Sequence, residues 1–379
     1  MIVRHFLQWV RTAAAGDRAE ATSALARAYL YSDLSHDDHV AAEGAMVMLL
    51  DDPSPLVRQA LAEALAAASE APPAIIHALA NDQPDIAAVV LERSPLLIDA
   101  DLVDLVGAGE SANQVAIARR KALPRSVAAA IAEVGSAEAC LVLIENPVAD
   151  IATLSINRIA ERFGHLAAIR EALFSRADVA ASTRQGLLVK LSETLGQFVL
   201  ARRWLPEGRT QRVVQEACEK ATIALAGVSE RQEMRALVCH LRESGQLTAG
   251  LVLRALLSGN LPLFEAALAE LSDLPLSRVS ALVHDRRSTG VRALCEAAGL
   301  PPSATTAIRA ALEAMHEVGF LGDPGGATRL KRRMIERVLT HCESESTSEI
   351  EPLLTLLRRF ATEAAREEAR LFCEDLVAA

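Results

Sequence analysis

The chain runs to 379 residues, of which 51% are hydrophobic but only 3% aromatic, and 39 basic against 49 acidic side chains leave a formal charge of −10. That apolar content excludes a disordered chain, 19 Gly and 15 Pro are too few for a collagenous one, and the Ala- and Leu-rich remainder favours helices over pleated sheets. No apolar run reaches the roughly 18–20 residues that cross a bilayer, and stretches such as Ala221 to Val228 are far too short.

Residues 1–44 read as an N-terminal helical cap. Met1 to Phe6 contains one Arg and leads to Asp17 without an apolar core, which predicts no secretory signal and a cytoplasmic location. His36-Asp37-Asp38-His39, with Glu43 beyond, is the densest set of metal-ligand types, since His and carboxylate at i, i+3 and i+4 can face one cation. The stretch follows Ser32 in a polar connection, where the same residues serve as solvated loop and cap groups, so no metal is expected.

Residues 45–182 carry a repeat. Val57, Ala60, Leu61, Ala64 and Leu65 have the spacing of one buried helical stripe. The breaks between stripes recur: Asp52-Pro53-Ser54-Pro55-Leu56-Val57-Arg58 is echoed at Asp82 to Ala88, Ala112 to Ala116, Val148 to Ala152 and Ala177 to Ala180. The aligned positions Leu56, Ile86, Val115, Ile151 and Val179 lie 30, 29, 36 and 28 residues apart. Second short helices fit between them at Pro73 to Leu79, Asp99 to Val106 and Pro124 to Val134, Pro suiting a first helical turn because its missing N–H would have no partner there. Helix pairs at this period predict an α-α solenoid, in which each pair buries its apolar face against the next.

Within this acidic half, Arg119, Arg120, Lys121 and Arg125 form the one dense basic segment, with Glu110 the only acid among residues 110–125. Guanidinium forks suit carboxylate or phosphate partners, which makes these four the candidate partner-binding residues. The alternative is that they complement a helix C-terminus and pair within the array.

Residues 183–379 predict a helical C-terminal region with longer helices, either a separate domain or a continuation of the array. Gly186 to Leu205 reads as one helix with Leu188, Leu191, Leu195, Phe198 and Val199 on its stripe. Phe264, Ala267, Leu268 and Leu271 form another stripe, as do Leu353, Leu354, Leu357, Phe360 and Ala361. Ser229-Glu230-Arg231-Gln232 and Ser346-Thr347-Ser348-Glu349 match capping boxes. A turn is expected at Gly319 to Gly326 and an acidic, Ser-rich connector at Cys342 to Glu349.

Asp52 to Arg58 resembles the start of a HEAT-like repeat, in which Asp and Arg at this spacing bond along the stack. Val90 to Leu97, Ala116 to Arg120, and Gly259 to Ala266 followed by Arg278-Val279 resemble an uncharacterised family, typical of alphaproteobacteria, whose members carry HEAT-like repeats at the N-terminal end. The resemblance covers residues 45–300. It implies the fold and brings no site residues or mechanism.

The remaining chemistry is sparse. Cys140, Cys218, Cys239, Cys295, Cys342 and Cys373 stand far apart without a C-x-x-C pair and read as reduced, mostly helical and buried. Cys239-His240 and His284-Asp285 are adjacent, but neighbours on a helix point about 100° apart and do not make a dyad. Lys331-Arg332-Arg333 and Arg286-Arg287 read as solvated helix faces, and Trp9 and Trp204 as core or interface residues too isolated to stack bases. Hydrolase, metalloprotease, P-loop and dinucleotide-binding fingerprints do not occur in the sequence. The expectation is a non-catalytic helical scaffold or adaptor without a cofactor that binds another protein, with a role in bacterial signalling or regulation. Nucleic-acid binding in the manner of HEAT-like DNA glycosylases is the alternative, opposed by the acidic balance; an enzyme on the same scaffold ranks below it.

Overall fold

A computed structural model describes residues 8–10, 12–285, 289–318, 326–344 and 351–378. The fold is all-α, and among the described residues there is no strand. The chain divides into two compact units, Met1–Val179 and Ala180–Ala379. The expected turn from Gly319 as far as Gly325, the capping pattern at 346–349, Arg286, Arg287 and Met1 to Phe6 lie outside the described residues.

The first unit contains α1 (Ala15–Tyr31), α2 (His36–Leu49), α3 (Pro55–Leu65), α4 (Pro73–Ala80), α5 (Pro84–Arg93) and α6 (Asp99–Ala108). It continues with α7 (Ser111–Ala118), α8 (Arg125–Val134), α9 (Ala137–Glu145), α10 (Thr153–Phe163) and α11 (Ala167–Ser175). The odd-numbered helices stack in sequence as one row, α1 on α3 through to α11, while α6, α8 and α10 stack as a second. α2 and α4 each pack on the first-row helices beside them. Pro55, Pro73 and Pro84 occupy first helical positions, where a missing N–H costs nothing. Val57, Leu61 and Leu65 on α3, and Ile86, Val90 and Leu91 on α5, are fully buried between neighbours. Helices of 8 to 11 residues, such as α4 and α3, are marginal alone, so the stack stabilises them.

Two features of the repeat differ from its sequence pattern. First-row helices α5, α7, α9 and α11 begin at residues 84, 111, 137 and 167, so the expected 36-residue interval conceals α9. Ile151 precedes α10 in the second row, so the 36-residue interval runs from a first-row helix to a second-row one. Leu56 is 57% exposed, and Val57 takes the core position instead.

Polar side chains tie successive layers together. Residues just past the end of a first-row helix reach back to the end of the preceding one: Asn146 Nδ2 donates to the carbonyls of Ala118 and Arg120, both at 2.9 Å, and Arg176 Nη1 to Ile144 O at 3.0 Å. In the second row, Arg162 donates to Ala132 O at 2.7 Å and Gly135 O at 2.9 Å. The last carbonyls of a helix lack intrahelical partners and carry its negative dipole end, which these donors satisfy. Arg–Asp pairs add to this at the N-terminal end, Arg18 with Asp52 at 2.8 Å and Arg58 with Asp82 at 2.6 Å.

The second unit opens with two 21-residue helices, α12 (Ala181–Ala201) and α13 (Glu207–Gly227), packed as a hairpin. Then come α14 (Arg231–Glu243), α15 (Ala249–Leu257), α16 (Leu261–Ser272), α17 (Leu276–Val283) and α18 (Thr289–Ala297). α19 (Pro302–Val318), α20 (Gly326–Ser344) and α21 (Glu351–Ala378) complete it, each packed on the one before. Phe264, Leu237, Leu256 and Ile308 are among its fully buried side chains.

Three local expectations change here. The α12 stripe does not form the buried face: Leu195 and Phe198 are 54% and 46% exposed, while Gln185, Leu187 and Gly196 are buried. Gly196 explains the choice of face, because a Cβ there would sit 3.2 Å from Val214 on α13, and its absence lets the helices approach closely. The capping box at Ser229 does not form, since Glu230 is the N-cap without a side-chain bond and Ser229 Oγ donates to Leu225 O. Cys342 to Ser344 complete α20 rather than opening a connector.

Candidate partner-binding site

The basic segment of the first unit separates into different environments. Arg119 is the C-cap of α7 and is exposed, as is Lys121. Arg125 opens α8 and pairs with Asp150 at 2.6 Å on the surface. Arg120 corrects the expectation: it is 8% exposed, and its Nη2 donates to Ser94 O at 2.6 Å while Nη1 donates to Leu91 O. Burial pushes its guanidinium below its ordinary pKa, with the charge of Asp99 opposing that fall. It is a structural cap on α5 and cannot belong to a contact surface. Arg119 and Lys121 have no ion-pair partner among the described residues.

Other sequence candidates resolve into packing. Ser35 accepts from Asp38 N at 3.2 Å and donates to Asp38 Oδ2 at 2.8 Å, so the His36–His39 stretch is the first turn of α2 rather than a connection. His39 stacks on Tyr29 with ring centroids 4.0 Å apart. Among the described residues no group of three or more His, Cys, Asp or Glu could hold a metal ion. Cys239 turns to Glu270 and His240 to Gln185, different partners on different elements. His284 meets Glu265 at 2.9 Å, and Arg332 meets Glu336 and Glu368. Trp9 and Trp204 are 42% and 64% exposed rather than core, and Trp204 lies edge-on to Phe198.

A concentration of cations that sequence reading did not assemble lies in the second unit. A cleft of about 770 Å³ between α13 and α21 is lined by Arg209, Arg212, Lys220, Arg359, Arg366 and Arg370. The acids lining it are Glu216 and Glu363. Arg359 meets Glu216 and Lys220 meets Glu363 at 2.9 Å, both pairs crossing from one helix to the other. Arg370 pairs with Glu374 on its own helix. Arg209, Arg212 and Arg366 have no ion-pair partner among the described residues. The signal was present in the periodicity: Arg209 and Arg212 are i, i+3, and Arg359, Arg366 and Arg370 are i, i+7, i+11, both one helical face.

Beneath this cleft, Arg254 of α15 is 5% exposed and joins three helices. It meets Glu219 of α13 at 3.3 Å and Glu363 of α21 at 2.9 Å, and its guanidinium lies 4.1 Å from the centre of the Phe360 ring. Burial raises the Glu219 carboxyl above its ordinary pKa despite Arg254 and Gln215. Burial also acts upward on Glu363, but hydrogen bonds from Lys220 and Arg254 outweigh it and hold that carboxyl below the usual range. One guanidinium thus fixes the helices that form the cleft walls.

No curated protein matches the chain. The sequence model described as an uncharacterised protein conserved in bacteria (DUF2336) matches residues 86–347, more than half of the chain, and the protein belongs to that family.

Proposed function

We propose that this member of the DUF2336 family is a non-catalytic helical-repeat adaptor that binds another protein. The observation that carries the reading is the division of labour in the basic segment of the repeat unit. Arg120 and Arg125 are committed to the array, by backbone carbonyls and by Asp150, whereas Arg119 and Lys121 project from it uncompensated. Exposed cations on an acidic repeat array favour a complementary acidic surface and steer its approach. The HEAT-like reading fits the stacked helix rows and the Arg58–Asp82 pair between layers. Free cysteines suit a reducing, cytoplasmic setting, and a role in bacterial signalling or regulation is part of the same proposal.

The test is quantitative affinity purification from the native bacterium, comparing the wild type with the Arg119→Glu/Lys121→Glu variant after circular dichroism has shown equal folding. A stoichiometric protein partner that is lost or strongly depleted with the variant supports the reading. An unchanged partner set removes these two cations from it, and nuclease-sensitive recovery of nucleic acid in place of protein overturns it.

A further inference from the structure

We infer that the α13–α21 cleft is a docking site for an acidic, amphipathic segment of a protein partner. This inference rests on the adaptor reading above and gives it a second, chemically defined surface. The argument begins with charge. In a chain of formal charge −10, six cations converge on one cleft that holds two carboxylates, and three of the six have no acidic partner among the described residues. Keeping like charges together costs free energy that an incoming anion recovers.

Shape and chemistry narrow the occupant. The lining on α13 extends from Arg209 to Lys220 and on α21 from Arg359 to Arg370, about 17 Å of helix on each wall at 1.5 Å per residue. Each wall therefore offers about three turns, the length of a short peptide segment. Val213, 47% exposed, and Ala217 lie among the cations and give apolar contact to a segment that alternates carboxylates with small or aliphatic residues. A polyphosphate backbone is disfavoured, because Glu216 and Glu363 fix negative charge inside the cleft and the chain as a whole is acidic. A lipid surface is disfavoured by geometry, since the arginines line a concavity that a flat bilayer does not enter. Guanidinium forks match carboxylates in bidentate fashion, and Arg209, Arg212 and Arg366 are the groups available to do so.

The arrangement is also preorganised. The Arg359–Glu216 and Lys220–Glu363 pairs tie the walls together, and Arg254 anchors both from below. Walls held together in this way need not be assembled on binding, which lowers the cost of association.

Two measurements on the full chain test the inference. In the first, fluorescence anisotropy follows a labelled amphipathic Glu/Leu/Ala peptide, with a Lys/Leu/Ala peptide, a single-stranded oligonucleotide and phosphatidylglycerol vesicles as comparison probes. Salt-sensitive binding of the acidic peptide alone is expected, weakened at least about tenfold by Arg209→Glu/Arg212→Glu/Arg366→Glu and less by the three Arg→Gln changes. Tighter binding of oligonucleotide or vesicle, or indifference to the arginine changes, overturns it. In the second, a photocrosslinking residue replaces Val213 or Arg119 in the native cell. The inference expects an adduct at position 213 that maps by mass spectrometry to a carboxylate-rich segment. An adduct at 119 without one at 213 overturns the cleft and leaves the adaptor reading standing; no protein adduct at either position overturns both.

Discussion

Arg120 donates to the carbonyl oxygen of Ser94, twenty-six residues earlier in the chain, at 2.6 Å. The bond places a cation at the end of one helix against the free carbonyls at the end of the helix stacked before it. Asn146 repeats the relationship one layer on, its Nδ2 donating to the carbonyl of Arg120 itself. The interlayer contact is therefore as much a chain of helix-end caps as a hydrophobic stack.

Arg120→Leu should destabilise the first unit by about 2–4 kcal/mol, because it leaves buried carbonyls of Leu91 and Ser94 without donors. Arg119→Leu and Lys121→Leu, at exposed positions, should each stay within about 0.5 kcal/mol of wild type. Urea unfolding followed by circular dichroism distinguishes them; equal effects at 119 and 120 would contradict the cap.

Gly196 of α12 faces Val214 of α13 without room for a larger side chain. Gly196→Leu should cost about 1–3 kcal/mol by forcing a side chain against Val214. A double-mutant cycle with Val214→Ala should recover part of that loss, since the two changes share one space. Strict additivity would show that the glycine serves some other purpose.

The two carboxylates on Arg254 should respond differently to neutralisation. Glu219 has a raised pKa, so its charge opposes folding above that pKa, and the penalty is relieved as pH falls through it. Glu363 has a lowered pKa; its contribution is present above the ordinary carboxylate range and lost as pH falls through the folded value. At pH 7, Glu219→Gln should therefore change stability by less than about 1 kcal/mol, and Glu363→Gln should cost about 1–3 kcal/mol. Thermal unfolding of both variants checks the order, and a larger loss for Glu219→Gln would reverse it.

Acid should weaken the repeat unit through Asp52 and Asp82. Burial acts to raise both carboxyls, but hydrogen bonds from Arg18 and Arg58 and from the amides of Ser54 and Gln83 outweigh it, and both lie below their ordinary value. Their contribution is complete above about pH 5 and declines below about pH 4, as the unfolded chain takes up protons first. Melting curves across that range should show a shallower acid limb for Asp52→Asn/Asp82→Asn; an unchanged limb would assign the acid sensitivity elsewhere.

The helical architecture was legible because Pro55, Pro73 and Pro84 punctuate the chain at helix starts and apolar stripes lie between them. α9 escaped because no proline opens it; Ser136 caps it instead, accepting from Ala139 N at 3.1 Å. The fate of Arg120 was not legible, since it differs from Arg119 and Lys121 only in the direction it leaves a helix end, and stacking decides that direction. The cleft is harder still: Arg209 and Arg366 belong to helices far apart in sequence, and only the packing around Arg254 brings them together. The capping box at Ser229 failed for a related reason, the hydroxyl finding the Leu225 carbonyl of the preceding helix before the amides of the next.

The adaptor reading is tested most directly by the composition and mass of the particle that carries the protein in a native extract, purified without dissociation and sized by light scattering. The reading predicts a mass above the 40.4 kDa of the chain, with a second, different polypeptide in fixed proportion that departs when Arg119, Lys121 and the cleft arginines are reversed together. A particle of 40.4 kDa, or an integral multiple of it containing this chain alone, would contradict it.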